Sequence, residues 1–283
     1  MSSEIRYAQT RDGKRIAYCD RGEGLPIIHL TPFGAGSLEF ERLPSTMRYM
    51  YGILQDRHRL IRFDPRGTGQ SDRDVEEFTL EALCLDIHAV AEAAGLGRFA
   101  IFATTSSGPV AIAYAAAHPQ RVSHLLLWCS SARGTDLRSP SRRAIDAIAQ
   151  EDWKLYTEAL ASSAFGFAEA EDAARLAEIL RDHTTPEMRK AFYGTIEAQD
   201  VTPLLSRVRM PVLVMHMRDY PLVPASGAAR LAANLPDARL VYFEGHSLFP
   251  LHAELLRSMQ TMDRFLGGDG QIPSPAELSG APA

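Results

Sequence analysis

The sequence predicts an α/β fold, a mostly parallel, doubly wound sheet with a helical lid inserted into it. Three observations carry this expectation. Short apolar runs rich in Ile, Val, Leu and Phe alternate with helical patterns at both ends of the chain. Several of these runs have no polar alternation, as expected of strands buried on both faces of a parallel sheet. Between about residues 132 and 207 the alternation stops and only helical patterns remain.

Residues 16–19, 26–30 and 60–63 read as the first strands, bounded by Gly, Pro or Asp. Thr79 then caps a helix whose Leu80, Leu83, Cys84, Ile87 and Ala91 recur at spacings of three and four, and Gly95 is placed to end it. Residues 99–103 form the next strand. The Ala-rich stretch 109–118 is helical and stops at Pro119, and 122–128 is again a strand. Inside the insertion, 141–150, 153–163, 169–181 and 186–199 read as helices. Alternation resumes with a strand at 212–216, a helix at 225–234, a strand at 240–243 and a helix at 251–266. The Gly- and Pro-rich segment from Gly267 reads as a flexible tail. The expected organisation is a core of 1–131 and 208–266, a helical lid of 132–207 and a tail of 267–283. No internal repeat is found.

Composition narrows the function. Of 283 residues, 46% are apolar and 23% charged, enough apolar surface to exclude disorder throughout. With 30 basic and 35 acidic residues the net charge is −5, which argues against a cationic nucleic-acid binder. Cys19, Cys84 and Cys129 are too few and too scattered for a disulfide framework, and no Cys-x-x-Cys pattern suggests structural zinc. The first residues lack a secretory pattern, and no apolar run reaches the ~18 residues of a membrane span. A cytoplasmic location is expected, with a small molecule as partner and neither nucleic acid nor membrane. No Gly-x-Gly-x-x-Gly or Walker-type loop is present, and no cofactor is expected. Oligomeric state is left open.

Several motifs fall at defined places in this order. Asp64-Pro-Arg-Gly-Thr-Gly-Gln-Ser71 follows a strand. Residues 99–122 form a strand, a tight turn and a helix ending in His118-Pro-Gln-Arg-Val. Pro211-Val-Leu-Val-Met-His and Tyr220-Pro-Leu-Val-Pro form a late strand and the loop after it. Together these resemble the α/β-hydrolase superfamily over residues 5–130 and 208–266. More narrowly, the run from Arg62 to Val75 is similar to hydrolase-type domains attached to bacterial cyclases and transcription regulators.

The resemblance implies a nucleophile on a strained strand-to-helix turn, a His that takes its proton and an acid that orients the His. Carried over in register, the nucleophile position is Thr105 within Ala103-Thr-Thr-Ser-Ser-Gly108, the acid position is Tyr220 and the base position is Leu248. Leu takes no proton, and a Tyr phenol is neutral near pH 7. The triad therefore reads as replaced, and no catalytic residue is assigned. A one-residue shift puts Ser106 at the apex, with Asp219 and His246 near the other two positions, and leaves an ester-type hydrolase open. In the oxyanion region, Pro32 has no N–H to donate, so Phe33 or Gly34 would have to supply one.

Other candidates are weaker. His29 and His216 end strands on one face and, with Asp219 or His246, offer metal donors, but their spacing is unremarkable and no metal is expected. Arg66 is read as a loop tether or an anion binder. Arg138, Arg142 and Arg143 are read as a solvated face.

The pocket is expected between the strand carboxyl ends and the lid, lined by Thr31, Phe33, Thr105, Ser106, Tyr220 and Leu248. Such a lining suits an uncharged or weakly polar organic molecule. Three functions fit. The first is a ligand-binding or regulatory protein that keeps the pocket without the chemistry. The second is a non-hydrolytic isomerase, cyclase or lyase. The third is a hydrolase using Ser106, His246 and Asp219.

Overall fold

Eight strands form one twisted sheet in the order β1-β2-β4-β3-β5-β6-β7-β8. The computed structural model describes residues 4–75, 77–250 and 252–273. The strands are β1 (Arg6–Gln9), β2 (Arg15–Arg21), β3 (Pro26–Leu30), β4 (Arg59–Phe63), β5 (Phe99–Thr104), β6 (Val122–Trp128), β7 (Val212–Met217) and β8 (Ala238–Phe243). Pairing is antiparallel for β1–β2 and β2–β4 and parallel from β4 to β8. The expected mostly parallel sheet is therefore present. Strands β5 and β7 are buried along their whole length, which explains their unbroken apolar runs.

The chain goes from β3 out to β4, then returns to place β5 on the other side of β3. The order of strands thus reverses between β3 and β5, and a crevice opens at their carboxyl ends. Helices α1 (Ser45–Arg57), α2 (Leu80–Ala93), α3 (Gly108–Ala117), α8 (Ala225–Ala233) and α9 (His252–Phe265) accompany the sheet. Thr79 caps α2 as expected, its hydroxyl accepting from the Ala82 N–H. Between β6 and β7 lie α4 (Pro140–Asp146), α5 (Trp153–Ala164), α6 (Ala170–His183) and α7 (Pro186–Ala198). Three of these start on side-chain caps, from Ser139, Asp152 and Thr185.

Two elements depart from the sequence reading. Strand β1 and helix α1 lie where neither was predicted. The segment from Gly267, expected to be a flexible tail, is tied down over residues 267–273: the Asp263 backbone carbonyl accepts from Gly268 N–H and its carboxylate from Gly270 N–H, both at 2.8 Å, Arg57 pairs with Asp269 at 2.6 Å, and Tyr49 donates to the Pro273 carbonyl. Residues 274–283 lie outside the described residues. No described helix is long and apolar enough to cross a membrane.

Candidate functional site

The strand-to-helix turn after β5 builds the floor of the site. Thr105 has φ +49, a left-handed conformation that is unfavourable for a β-branched residue. The strained apex is thus Thr105, and Ser106 is the residue after it. Two hydroxyls hold the turn: Ser130 Oγ donates to the Thr105 carbonyl at 2.7 Å and Ser107 Oγ to the Thr31 carbonyl at 2.5 Å. Gly108 is needed here for space, because an added Cβ would lie 1.7 Å from Ser130 Oγ.

Two loops supply the walls. After β7, Tyr220 is buried while the neighbouring Asp219 is exposed. Burial pushes the Tyr220 phenol well above its ordinary value, so it is neutral. After β8, Leu248 is fixed by its backbone: its N–H donates to the Ala164 carbonyl and its carbonyl accepts from Trp128 Nε1, both at 2.8 Å. Phe33, from the loop after β3, stacks on Phe192 of α7 at 4.1 Å between ring centroids.

Thr105, Ser106, Phe33, Tyr220 and Leu248 line one cavity of about 560 Å³ of non-atom space, part of it open to solvent. Thr31, expected there too, faces two adjoining smaller cavities instead. Its hydroxyl is turned toward Gly36, where an added Cβ would lie 2.8 Å away.

The set Ser106, His246 and Asp219 is not assembled. His246 is exposed and its Nε2 lies 3.2 Å from the Gly166 carbonyl, while Ser106 is buried and its Oγ lies 3.2 Å from the Tyr193 hydroxyl. The cause is the two-residue offset: the loop presents Leu248 to the cavity, and His246 falls on its outer side. The two histidines offered as metal donors, His29 and His216, are buried in the core. His29 stacks on Phe102 at 4.5 Å, and burial, aided by Arg62, pushes its pKa down to about 3. His216 Nδ1 lies 2.7 Å from the Met217 carbonyl. Among the described residues, no group of three or more His, Cys, Asp or Glu could hold a metal. Arg66 is a strut, buried and paired with Asp12 at 2.6 Å and Asp86 at 2.8 Å.

The helical segments between β6 and β7 supply the roof, with Leu160, Leu176 and Leu180 as apolar lining and Arg142, Arg189 and Tyr193 as polar lining. Arg142 was expected on a solvated face. Arg138 and Arg143 are indeed exposed, but Arg142 is buried. The difference is helical phase, since Ser139 caps α4 through the Arg142 N–H and turns that residue inward. Both guanidinium groups sit over the Tyr193 ring, Arg142 at 4.4 Å and Arg189 at 4.5 Å from its centroid. Burial alone pushes the Tyr193 phenol up, but Arg189 and Arg142 outweigh it and hold the phenol below its ordinary value. The expected lining, apolar with hydroxyls, thus lacked a pair of cations.

Arg189 and Tyr193 were missed at the sequence level. A signal was present: Arg189, Phe192, Tyr193 and Ile196 recur at helical spacing on one buried face of α7, so the Arg lies within an apolar stripe.

Comparison with known proteins places this geometry. A family model described as the alpha/beta hydrolase fold matches residues 33–253. A non-heme chloroperoxidase from Streptomyces lividans is 29% identical over 272 residues, 87% of this chain and 95% of that protein. An AB hydrolase superfamily protein from Bacillus subtilis is 25% identical over 277 residues, 89% of this chain and 96% of that protein. Among solved structures, an esterase from a Rhodococcus species superposes with a TM-score of 0.81 at 23% identity, covering 96% of this chain and all of that one (100%).

Proposed function

The chain belongs to the alpha/beta hydrolase family, and from that premise we propose that it is a ligand-binding or regulatory member, holding a small organic molecule beneath a helical lid without the family's triad hydrolysis. The observation that carries this reading is the identity of the three side chains around the cavity floor. Thr105 at the strained apex shares the cavity with Tyr220 and Leu248, in the positions that the family resemblance gives to acid and base. A threonine hydroxyl needs a base to become a nucleophile, and neither a neutral phenol nor an isobutyl group is one. Loss of triad members costs up to ~10⁶-fold in turnover. What remains is an apolar cavity with convergent polar groups, the usual form of a small-molecule site.

The test is labelling by a fluorophosphonate followed by intact-mass analysis. No adduct on Thr105 or Ser106 of the folded protein is expected. A stoichiometric adduct on either overturns the reading.

A second reading is supported by one contact and by the names of relatives. Ser106 Oγ lies 3.2 Å from the hydroxyl of Tyr193, whose phenol the two arginines hold low. A phenol made more acidic in this way is placed to exchange a proton with Ser106. The relatives are named as a chloroperoxidase and a hydrolase superfamily protein, which favours turnover. Under this reading Ser106 and Tyr193 carry acyl transfer or proton transfer, and Tyr193→Phe abolishes turnover of a candidate ester while the fold persists. Turnover that survives Tyr193→Phe removes this reading.

A further inference from the structure

The geometry points to a subsite for the anionic end of an organic monocarboxylate in the roof of the cavity, made by Arg142 and Arg189. This rests on the reading of the cavity as a ligand pocket and adds the chemical class of its occupant.

The argument is one of charge and donor count. Both side chains are more than nine-tenths buried, at 8% exposure for Arg142 and 5% for Arg189, and both line the cavity. One carboxylate serves them. Asp146 accepts from Arg142 Nε at 2.6 Å, and its other oxygen accepts from the Tyr156 hydroxyl at 3.2 Å. Arg189 donates to neutral acceptors only, the Tyr156 hydroxyl and the Phe33 carbonyl, the latter at 3.1 Å. Among the described residues no carboxylate lies in ion-pair range of Arg189. Two buried cations therefore share one anion. In addition, Arg142 Nη2 is buried with no hydrogen-bond partner. An uncompensated buried cation and an orphaned guanidinium N–H are both unfavourable, and a ligand carboxylate removes both at once.

The rest of the cavity selects the body of that ligand. Phe33, Leu160, Leu176, Leu180 and Leu248 surround the polar roof with hydrocarbon. A single missing negative charge fits a monoanion better than a phosphate or a dicarboxylate. A competing source of that charge is ionisation of the Tyr193 hydroxyl, whose ring centroid lies 4.4 Å from the Arg142 guanidinium and 4.5 Å from that of Arg189.

Linear monocarboxylates from butyrate to octanoate and their primary amides separate these cases, with calorimetry and thermal unfolding of the full chain as readouts. The acids are expected to bind roughly tenfold or more tightly than the amides of equal length. Arg142→Gln and Arg189→Gln are each expected to erase that preference. The acid-against-amide comparison on the unaltered protein needs no variant, so it holds even where a variant fails to fold. Amides that bind as tightly as acids overturn the subsite and leave the pocket standing. Absence of binding by both series overturns the pocket reading and the subsite together. A tyrosinate absorbance band in the ligand-free protein near neutral pH that the acids leave unchanged assigns the charge to Tyr193 and likewise overturns the subsite.

Discussion

Thr105, Tyr220 and Leu248 could be read from the sequence because each follows a strand whose apolar run sets its register. Arg142 could not be read the same way. It sits between exposed Arg138 and Arg143, and nothing in the composition of that cluster distinguishes the one residue that α4 turns inward. His29 is another residue whose surroundings are clear only in three dimensions. Packed against Phe102 and Tyr51, it is held neutral with a pKa near 3, against about 6.5 in the unfolded chain. The sign follows from proton binding. Below about pH 6.5 the unfolded chain takes up a proton that the folded chain refuses until near its own depressed pKa, so this contribution is complete above that pH and declines as pH falls. His29→Phe is expected to remove about 2 kcal/mol of the stability change between about pH 7 and pH 5, measured by urea unfolding at both pH values. His183, pushed down to about 4, and Asp64, pushed up to about 7, titrate in both proteins, so the difference between the curves isolates His29. Parallel curves contradict the assignment.

At the scale of elements, most strands and helices were legible because their periodicity or apolar runs are local properties. The two that were missed owe their form to distant partners. Strand β1 has four residues with only Ala8 buried, so it carries no apolar pattern and is held by pairing with β2. Helix α1 begins after Pro44 with no cap of its own. Its first N–H groups are capped instead by the Asp172 carboxylate of α6, which accepts from Ser45 N–H at 2.7 Å and Thr46 N–H at 3.1 Å and from both hydroxyls. No reading of local sequence can find a cap supplied 127 residues away. Asp172→Ala is expected to cost roughly 1.5–3 kcal/mol, because it strips charge-assisted hydrogen bonds from a buried helix end, and chemical denaturation checks this. Ser139→Ala removes the α4 cap at about 1 kcal/mol and, by loosening the turn that carries Arg142, is expected to weaken carboxylate binding more than amide binding.

At the scale of the whole molecule, the doubly wound core was legible and the electrostatics of the site were not. The core repeats a strand-helix rhythm that the sequence displays directly. The cavity's charge comes from the helical segments between β6 and β7, which carry none of the motifs that mark the family in the sequence. These segments are bound to the core at several points. Arg189 donates to the Phe33 carbonyl, Gly69 N–H to the His183 carbonyl at 3.0 Å, and Asp172 grips α1. One cooperative transition is therefore expected. The two tryptophans test it, since Trp128 lies in β6 and Trp153 in α5. Trp128→Phe and Trp153→Phe leave one reporter in each part, and their unfolding midpoints should agree with calorimetry on the same variant. A lower midpoint confined to the Trp153 reporter shows separate unfolding of the helical segments.

Release of nitrophenolate from 4-nitrophenyl butyrate, followed together with thermal stabilisation by the same ester, bears most directly on a binding pocket without triad hydrolysis. Saturable stabilisation is expected, with release at the buffer rate and the ester recovered intact. Release that scales with protein concentration and disappears in Ser106→Ala or Thr105→Val contradicts it.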